Sequence, residues 1–440
     1  MIRSFLLLLL SISFVAQASD QRGSLDPEFA TIPFEQWLGE RDQAHFHWTL
    51  SAPHAALSFH QRFVGRIDIK VDGKDLDSRR GDGKLLFLVQ ITDGDGTRYQ
   101  GHGSLELNKL SENIKASNIE YSQGVFLLPG EYRLNVAILD TATGEHSTHQ
   151  ATFKVAAPHD FLLDAWRDLP AVEYIGKAES PDSWYLPDVR GRLQWAASVH
   201  SPARLNVILN LDASEPTTAL GSTSTVPSGG LAALLPALKA LSETGSASIS
   251  EQVQLLDIAR RRAVFRQGDV HDLDWPRLRA ALAEANSGSI DVHALSQRHH
   301  DAQFFVSQVR SLLRASDKPS VLVVLTQSVG FESGEDLEPI SLEALPGCRV
   351  IYIRYHAPPE RVDPFDQQMR RGRNSRMGGP MNGGTMTHNR PAREGGVDQL
   401  EGTLKPLGPK VFDVDSPEQV TKAFVETLKA LAASEEPPSR

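Results

Sequence analysis

The run Leu205-Asn206-Val207-Ile208-Leu209-Asn210-Leu211 constrains this chain more than any other stretch. It is short and mostly apolar, with Ala203-Arg204 before it and Pro216 after it, and it leads directly into Asp212 and Ser214. A run of that kind reads as a strand buried on both faces. Such strands sit at the centre of parallel sheets, where ligands bind beyond the carboxyl ends. Asp212 and Ser214 fall at such an end.

The residues that follow carry strand and helix signals in turn. Leu231, Leu234, Leu235, Leu238 and Leu241 have helical spacing, with Pro236 expected to kink the helix. Residues 249–258 and 263–267 read as two strands about an Arg260-Arg261-Arg262 turn. Asp274 can cap a helix beginning at Trp275, and Asp301 another carrying Phe305, Val309 and Leu312 on one face. Continuous apolar runs at 321–325 and 350–353, with a shorter one at 410–414, are further buried strands. Ser416-Pro417-Glu418-Gln419 is a helix start, with Ser416 as cap, Pro417 in the first turn and Gln419 completing a capping box. Strands alternating with helices predict an α/β domain of three layers with a mainly parallel sheet.

The first part of the chain has a different period. Ile67, Ile69 and Val71 alternate with charged residues, as do Tyr132, Leu134, Val136 and Ile138 with their neighbours. Turn signals at Asp93-Gly94-Asp95-Gly96, Pro129-Gly130 and Thr143-Gly144 separate these strands. The pattern predicts an all-β, immunoglobulin-like sandwich. The expected organisation is a signal peptide at 1–18, a leader at 19–44 and the sandwich at 45–157. A Trp- and Pro-containing packing segment follows at 158–204, then the α/β domain at 205–434 and a tail at 435–440. The stretch 359–396 interrupts the α/β domain with Met, Gly, Arg and Asn and no periodicity, so it is expected to be disordered.

Composition sets the outer limits. The chain has 440 residues and a net charge of −10, which argues against general binding to nucleic acid or anionic membrane. Arg3, an apolar core over 5–15 and Ala16-Gln17-Ala18 compose a secretory signal whose core is shorter than the ~20 residues of a membrane span. The mature protein is therefore expected in the periplasm or outside the cell, with no transmembrane segment. Cys348 stands alone, so no internal disulfide is available, and it reads as a small buried side chain.

With these elements in order, residues from about 205 to 433 resemble the von Willebrand factor A (vWA) domain, a Rossmann-like fold. The resemblance rests on Leu211-Asp212-Ala213-Ser214 after the first strand and on the fourth strand, Val321 to Thr326. It rests also on the closing unit from Leu404 through Val411-Phe412-Asp413-Val414 to Ser416-Pro417. It points towards secreted bacterial vWA-related proteins of the acidobacterial type. What the family implies is a metal-ion-dependent adhesion site that reads Asp-x-Ser-x-Ser in its first loop, with a Thr from a second loop and an Asp after the fourth strand. Mg²⁺ suits such a site because it takes six oxygen ligands, several from water. Asp212 and Ser214 match the first two positions, whereas Pro216 occupies the third. No Thr occurs between Gly245 and Leu325, and Thr326-Gln327-Ser328 stands where the family has its Asp. Asp336 is too far downstream to replace it, and Thr217, Asp269 and Asp272 are the candidate substitutes. The metal site is therefore degenerate: Asp212 and Ser214 are the residues that would hold Mg or Mn, and the leading expectation is that no cofactor is used.

Other chemistry is poorly represented. His45, His47, His146, His149, His299 and His300 lack the spacing of a zinc motif. An EF-hand register beginning at Asp93 places Ser104 where Glu is required. No G-x-S-x-G elbow or phosphate-binding Gly loop follows a strand. The expected function is an exported, non-catalytic interaction protein with a protein partner. The alternatives are a metal-dependent adhesion module and an exported hydrolase whose site is not visible in sequence.

Overall fold

Alternation in the first part and buried runs in the second produce three separate sheets in a computed structural model of the chain. The structure describes residues 32–40, 46–156, 164–175, 191–195, 202–211, 229–243, 249–268, 270, 272–285, 300–314, 319–329, 348–356 and 398–433. The expected signal peptide, the insertion at 359–396 and the tail at 435–440 lie outside them, as does Trp184 of the packing segment. No helix among the described residues is long and apolar enough to cross a membrane.

The chain divides into two units that interleave along the sequence. Unit 1 comprises 1–52, 68–121 and 131–153, and unit 2 comprises 53–67, 122–130 and 154–440. Strands β3 (Phe63–Asp72) and β6 (Asn118–Leu127) each contribute residues to both.

Unit 1 is built on β4 (Lys84–Thr92), which pairs antiparallel with β5 (Arg98–Glu106) and β7 (Gly130–Asp140). With β8 (His146–Val155) these form a four-stranded sheet of order β5-β4-β7-β8. Successive side chains of a strand point to opposite faces, yet β4 is apolar at five consecutive positions, Leu85 to Val89. The structure shows why: helix α1 (Phe34–Gly39) lays Phe34 and Trp37 against Leu86, Leu88 and Ala137. Trp37 also stacks on His146 at 4.1 Å between ring centroids. On the other face, Phe87 stacks on Tyr121 at 4.6 Å. Gly103 permits that approach, since a Cβ there would stand 2.3 Å from the Tyr121 ring. Burial pushes the Tyr121 phenol up to about 12.

A second antiparallel sheet has the order β1-β3-β6-β9, with β1 at Trp48–Ser51 and β9 at Val172–Tyr174, and β2 (Ala56–Leu57) pairs with β3. The turn between β2 and β3, within unit 2, is tightly held. Gln61 is fully buried with φ 57°, a left-handed conformation that a non-glycine residue adopts at a cost. Its carbonyl accepts from Trp166 Nε1 at 2.9 Å, its Nε2 donates to the Pro417 carbonyl at 3.2 Å, and its Oε1 accepts from the Thr421 hydroxyl. These bonds offset the strain. Beside it, buried Arg62 pairs with Glu173 at 2.8 Å and lies over the Phe126 ring at 4.4 Å.

The third sheet is mixed and has six strands in the order β12-β11-β10-β13-β14-β15. β10 (Ala203–Asn210) pairs parallel with β11 (Ile249–Asp257) and β13 (Ser320–Gln327). β14 (Cys348–Tyr355) and β15 (Lys410–Val414) continue in parallel, whereas β12 (Arg262–Gln267) returns antiparallel on β11. One face buries Leu205, Val207 and Leu209 with residues of α2 (Gly229–Leu241), α3 (Trp275–Ala285) and α4 (Pro417–Ala432). Trp166, Leu193 and Trp195 of the expected packing segment join that core. The other face buries Ile208, Leu322, Val324 and Tyr352 with residues of α5 (Asp301–Arg314) and α6 (Gln399–Leu404).

The expected fold class requires correction. A mainly parallel, three-layer α/β fold of vWA or Rossmann type, behind an immunoglobulin-like sandwich, does not describe this chain. Two of the three sheets pair antiparallel, they hold nine of the fifteen described strands, and the described helices are few. The physical reason lies in what a buried apolar run encodes. It reports that both faces are covered, as in β4, which is apolar from Leu85 to Val89 and antiparallel on both sides. It does not report the direction of the neighbouring strands.

Local signals also resolve unevenly. Asp274 Oδ1 accepts from the Arg277 amide at 3.0 Å and caps α3 as its position suggests. At α4, Ser416 makes no side-chain capping bond. Gln419 Oε1 accepts instead from the Asp415 amide at 2.7 Å, one residue before the expected cap.

Candidate functional site at the carboxyl edge of the mixed sheet

The neighbours of β10 on its two sides come from different crossings, β11 on one and β13 on the other, so the strand order reverses between β10 and β13. A crevice beyond the carboxyl ends at such a reversal is where open sheets of this type receive ligands. The parallel register carries one row of side chains across that edge: Leu256, Asn210, Thr326, Arg354 and Asp413. After Leu256 the row is polar, and its members bond to one another.

Asn210 and Thr326 are fully buried. Asn210 Nδ2 donates to Thr326 Oγ1 at 3.1 Å, and that hydroxyl donates to the Gln327 carbonyl at 2.9 Å. The hydroxyl proton is thereby committed to the backbone, a poor arrangement for a nucleophile, which needs a base in hydrogen-bond reach.

Arg354 gathers the rest. Its Nε donates to Asp413 Oδ1 at 2.6 Å, and its Nη1 donates to Asp398 Oδ2 at 2.8 Å and Glu401 Oε2 at 2.9 Å. These hydrogen bonds, that to Asp413 foremost, raise the guanidinium pKa above its ordinary value. Asp398 is also the cap of α6, accepting from the Leu400 amide at 3.1 Å, and it receives the Tyr352 hydroxyl at 2.7 Å. Burial, followed by the Asp398 charge, pushes the Tyr352 phenol far up. Arg354 holds Asp413 below the ordinary carboxylate range, and the His356 ring adds to this with Nε2 at 2.8 Å. One guanidinium thus faces three carboxylates, and the edge is acidic. The Asp398 side chain is buried, while Glu401, Asp413 and His356 reach solvent with side chains 44%, 55% and 47% exposed.

The structure treats the expected site residues unequally. Asp212 and Ser214 lie outside the described residues, as do Thr217, Asp269 and Asp336. Asp272 pairs with Arg192 at 2.7 Å and sits beside Gln267 and Val270, at the opposite end of β11. His47 is held by Asp75 at 2.9 Å, and His149 meets the edge of Trp48. His45 and His299 are not among the described residues. Asp93 Oδ1 accepts from the Asp95 and Thr97 amides and so closes its own turn. Cys348 is half-buried at the start of β14, and burial raises its thiol pKa. Among the described residues no group of three or more His, Cys, Asp or Glu side chains is placed to hold a metal.

Sequence reasoning missed Asn210, Thr326, Arg354, Asp398, Glu401 and Asp413 as a set. One signal was present. Arg354 and Asp413 are charges that follow the apolar interiors of their strands, near the carboxyl ends, which calls for a partner across the sheet.

No family model matches the chain, and no curated protein matches it. Among solved structures, a protein designated ApaA from Bordetella pertussis is 19% identical, covering 26% of this chain and 97% of that one with a TM-score of 0.17. A structural-genomics target is 15% identical over 27% of this chain and 91% of that one, with a TM-score of 0.18. The β-glucuronidase of Parabacteroides merdae is 12% identical over 24% of this chain and 14% of that one, with a TM-score of 0.16. At these TM-scores the likenesses carry no argument about fold or activity.

Proposed function

We propose that this chain is an exported, non-catalytic binding protein whose partner is another protein, met at the acidic carboxyl edge of the mixed sheet. The observation that carries the reading is the way the polar groups of that edge are used. Thr326 and Asn210 satisfy each other, and Arg354 is consumed by three carboxylates, whereas Glu401 and Asp413 still present charge to solvent. Such an edge offers complementarity to a cationic segment, which sets association rate and specificity. The test has two arms. Binding of a lysine- and arginine-rich peptide set should fall in Glu401→Gln and weaken steeply with salt. Turnover on a broad hydrolase panel that disappears in Thr326→Ala would overturn the reading in favour of an enzyme.

A second reading is a metal-dependent adhesion module using Asp212 and Ser214. It is favoured by one observation: β10 ends at Asn210, on the reversal, so these residues follow the buried Asn210–Thr326 pair within two and four positions. Thermal unfolding with EDTA, Mg²⁺, Mn²⁺ and Ca²⁺ tests it. A metal at a hundred times its dissociation constant should stabilise by about 2.7 kcal/mol, and Asp212→Ala should lose that gain.

A further inference from the structure

The first part and middle of β10 and β11 carry a second polar group, distinct from the carboxyl edge. Asn206 lies two residues before Ile208, so it shares the face that packs against Phe305 and Val309 of α5. The register sets Ser250 beside Arg204, Gln252 beside Asn206 and Gln254 beside Ile208. Ser250, Gln252 and Gln254 therefore form a column on β11 next to Asn206, on one face. Asn206 is fully buried and Gln254 is 3% exposed. Neither Asn206 Oδ1 nor Nδ2 has a hydrogen-bond partner, and the same holds for Gln254 Oε1 and Ser250 Oγ.

Asn210, on the same strand and face, is bonded to Thr326. The difference therefore lies behind the carboxyl edge. Buried polar groups left unpaired are costly, and native interiors rarely keep several together. Here four atoms on three neighbouring side chains share one face. The set consists of amide carbonyls, one amide NH₂ and one hydroxyl. Two strand cations border the set, and neither is free: Arg204, beside Ser250 in the register, is engaged elsewhere, and Arg266, opposite Gln254, is taken up by Gln308 of α5. A buried amide NH₂ disfavours a cation, and two carbonyl oxygens disfavour an anion. A neutral hydroxyl, which both donates and accepts, satisfies every member.

We propose that Asn206, Gln254 and Ser250 form an internal binding site for neutral hydroxyl groups, supplied by ordered water or by a small polyol. High-resolution crystals of the mature chain, grown without polyol, test this directly. Ordered oxygen density is expected within hydrogen-bond distance of Asn206 Nδ2 and Gln254 Oε1. Asn206→Leu, which breaks the bonds, should melt below the wild type. Melts with and without glycerol or erythritol separate the sources, because polyols stabilise most proteins by surface exclusion. An equal shift in wild type and variant assigns the site to water, and a larger shift in the wild type assigns it to the polyol. Absence of density at the site, with Asn206→Leu melting above the wild type, overturns the proposal. Where the variant does not fold, the wild-type density alone decides.

Discussion

The carboxyl edge of the mixed sheet and the strand interiors behind it handle buried polarity in opposite ways. At the carboxyl edge, Asn210, Thr326, Arg354, Asp398 and Asp413 close their hydrogen bonds on one another. Further back along the strands, Asn206 and Gln254 keep unpartnered atoms, and so does Glu251, whose two oxygens are buried on the other face. The carboxyl edge receives side chains from four strands and from α6, so donors meet acceptors from several directions. A side chain in the middle of a strand reaches only its own face of the sheet. Polarity at strand ends is readily paired within the chain, whereas polarity between them depends on what covers the face.

The largest test of this contrast is Arg354→Met. It leaves Asp398 buried beside Glu401 and Asp413 without their cation, and uncompensated buried charge typically costs about 3–5 kcal/mol. Urea unfolding measures it, and a loss under ~1 kcal/mol would mean that the carboxylates find other partners.

Glu251 should behave in the opposite sense. Burial raises its carboxyl well above the ordinary range. The sign follows from linkage. A folded value above the unfolded one contributes stability below the unfolded pKa of about 4.3, and that contribution is lost as pH rises through the folded value. Glu251→Met should therefore be more stable than wild type at pH 8 by about 1–3 kcal/mol, with the advantage narrowing towards pH 5. Equal stability at both pH values would show that the carboxyl has a partner.

Thr326→Val removes the acceptor of the Asn210 amide and should cost about 1–2 kcal/mol in the same unfolding measurement. A neutral outcome would show that the Asn210–Thr326 bond does not contribute.

Asp413→Asn should have the smallest effect, about 0.5–1 kcal/mol at pH 7, because the side chain is half exposed and its ion pairs are screened. Here the sign is the usual one for a carboxylate. Arg354 lowers the folded value, so the contribution is present above the unfolded pKa of about 3.9 and is lost as pH falls through the folded value. Wild type and variant should converge in acid. A difference that persists below pH 3 would assign the effect to packing.

Individual elements were legible to different depths. The apolar run at 321–325 became β13, and 410–414 matched β15 at both ends, because β-rich runs between breakers leave little choice of conformation. The capping signal at Ser416 located α4 but named the wrong donor, since Gln419 Oε1 accepts from the Asp415 amide rather than from that of Ser416. The candidate site was hardly legible. Arg354, Asp398 and Asp413 are separated by stretches of chain that carry no shared motif, and their register exists only once β14, β15 and α6 are assembled.

The sequence by itself determined the kind of element at each strongly patterned stretch, which faces are apolar there, and that β10 is covered on both sides. Those properties follow from periodicity, which is local. The tertiary structure alone decided that antiparallel pairing dominates and that Gln61 adopts a left-handed turn against α4. It also decided which buried polar groups find partners. Pairing direction and hydrogen-bond closure depend on residues far apart in the chain, and their energies exist only after distant segments have met.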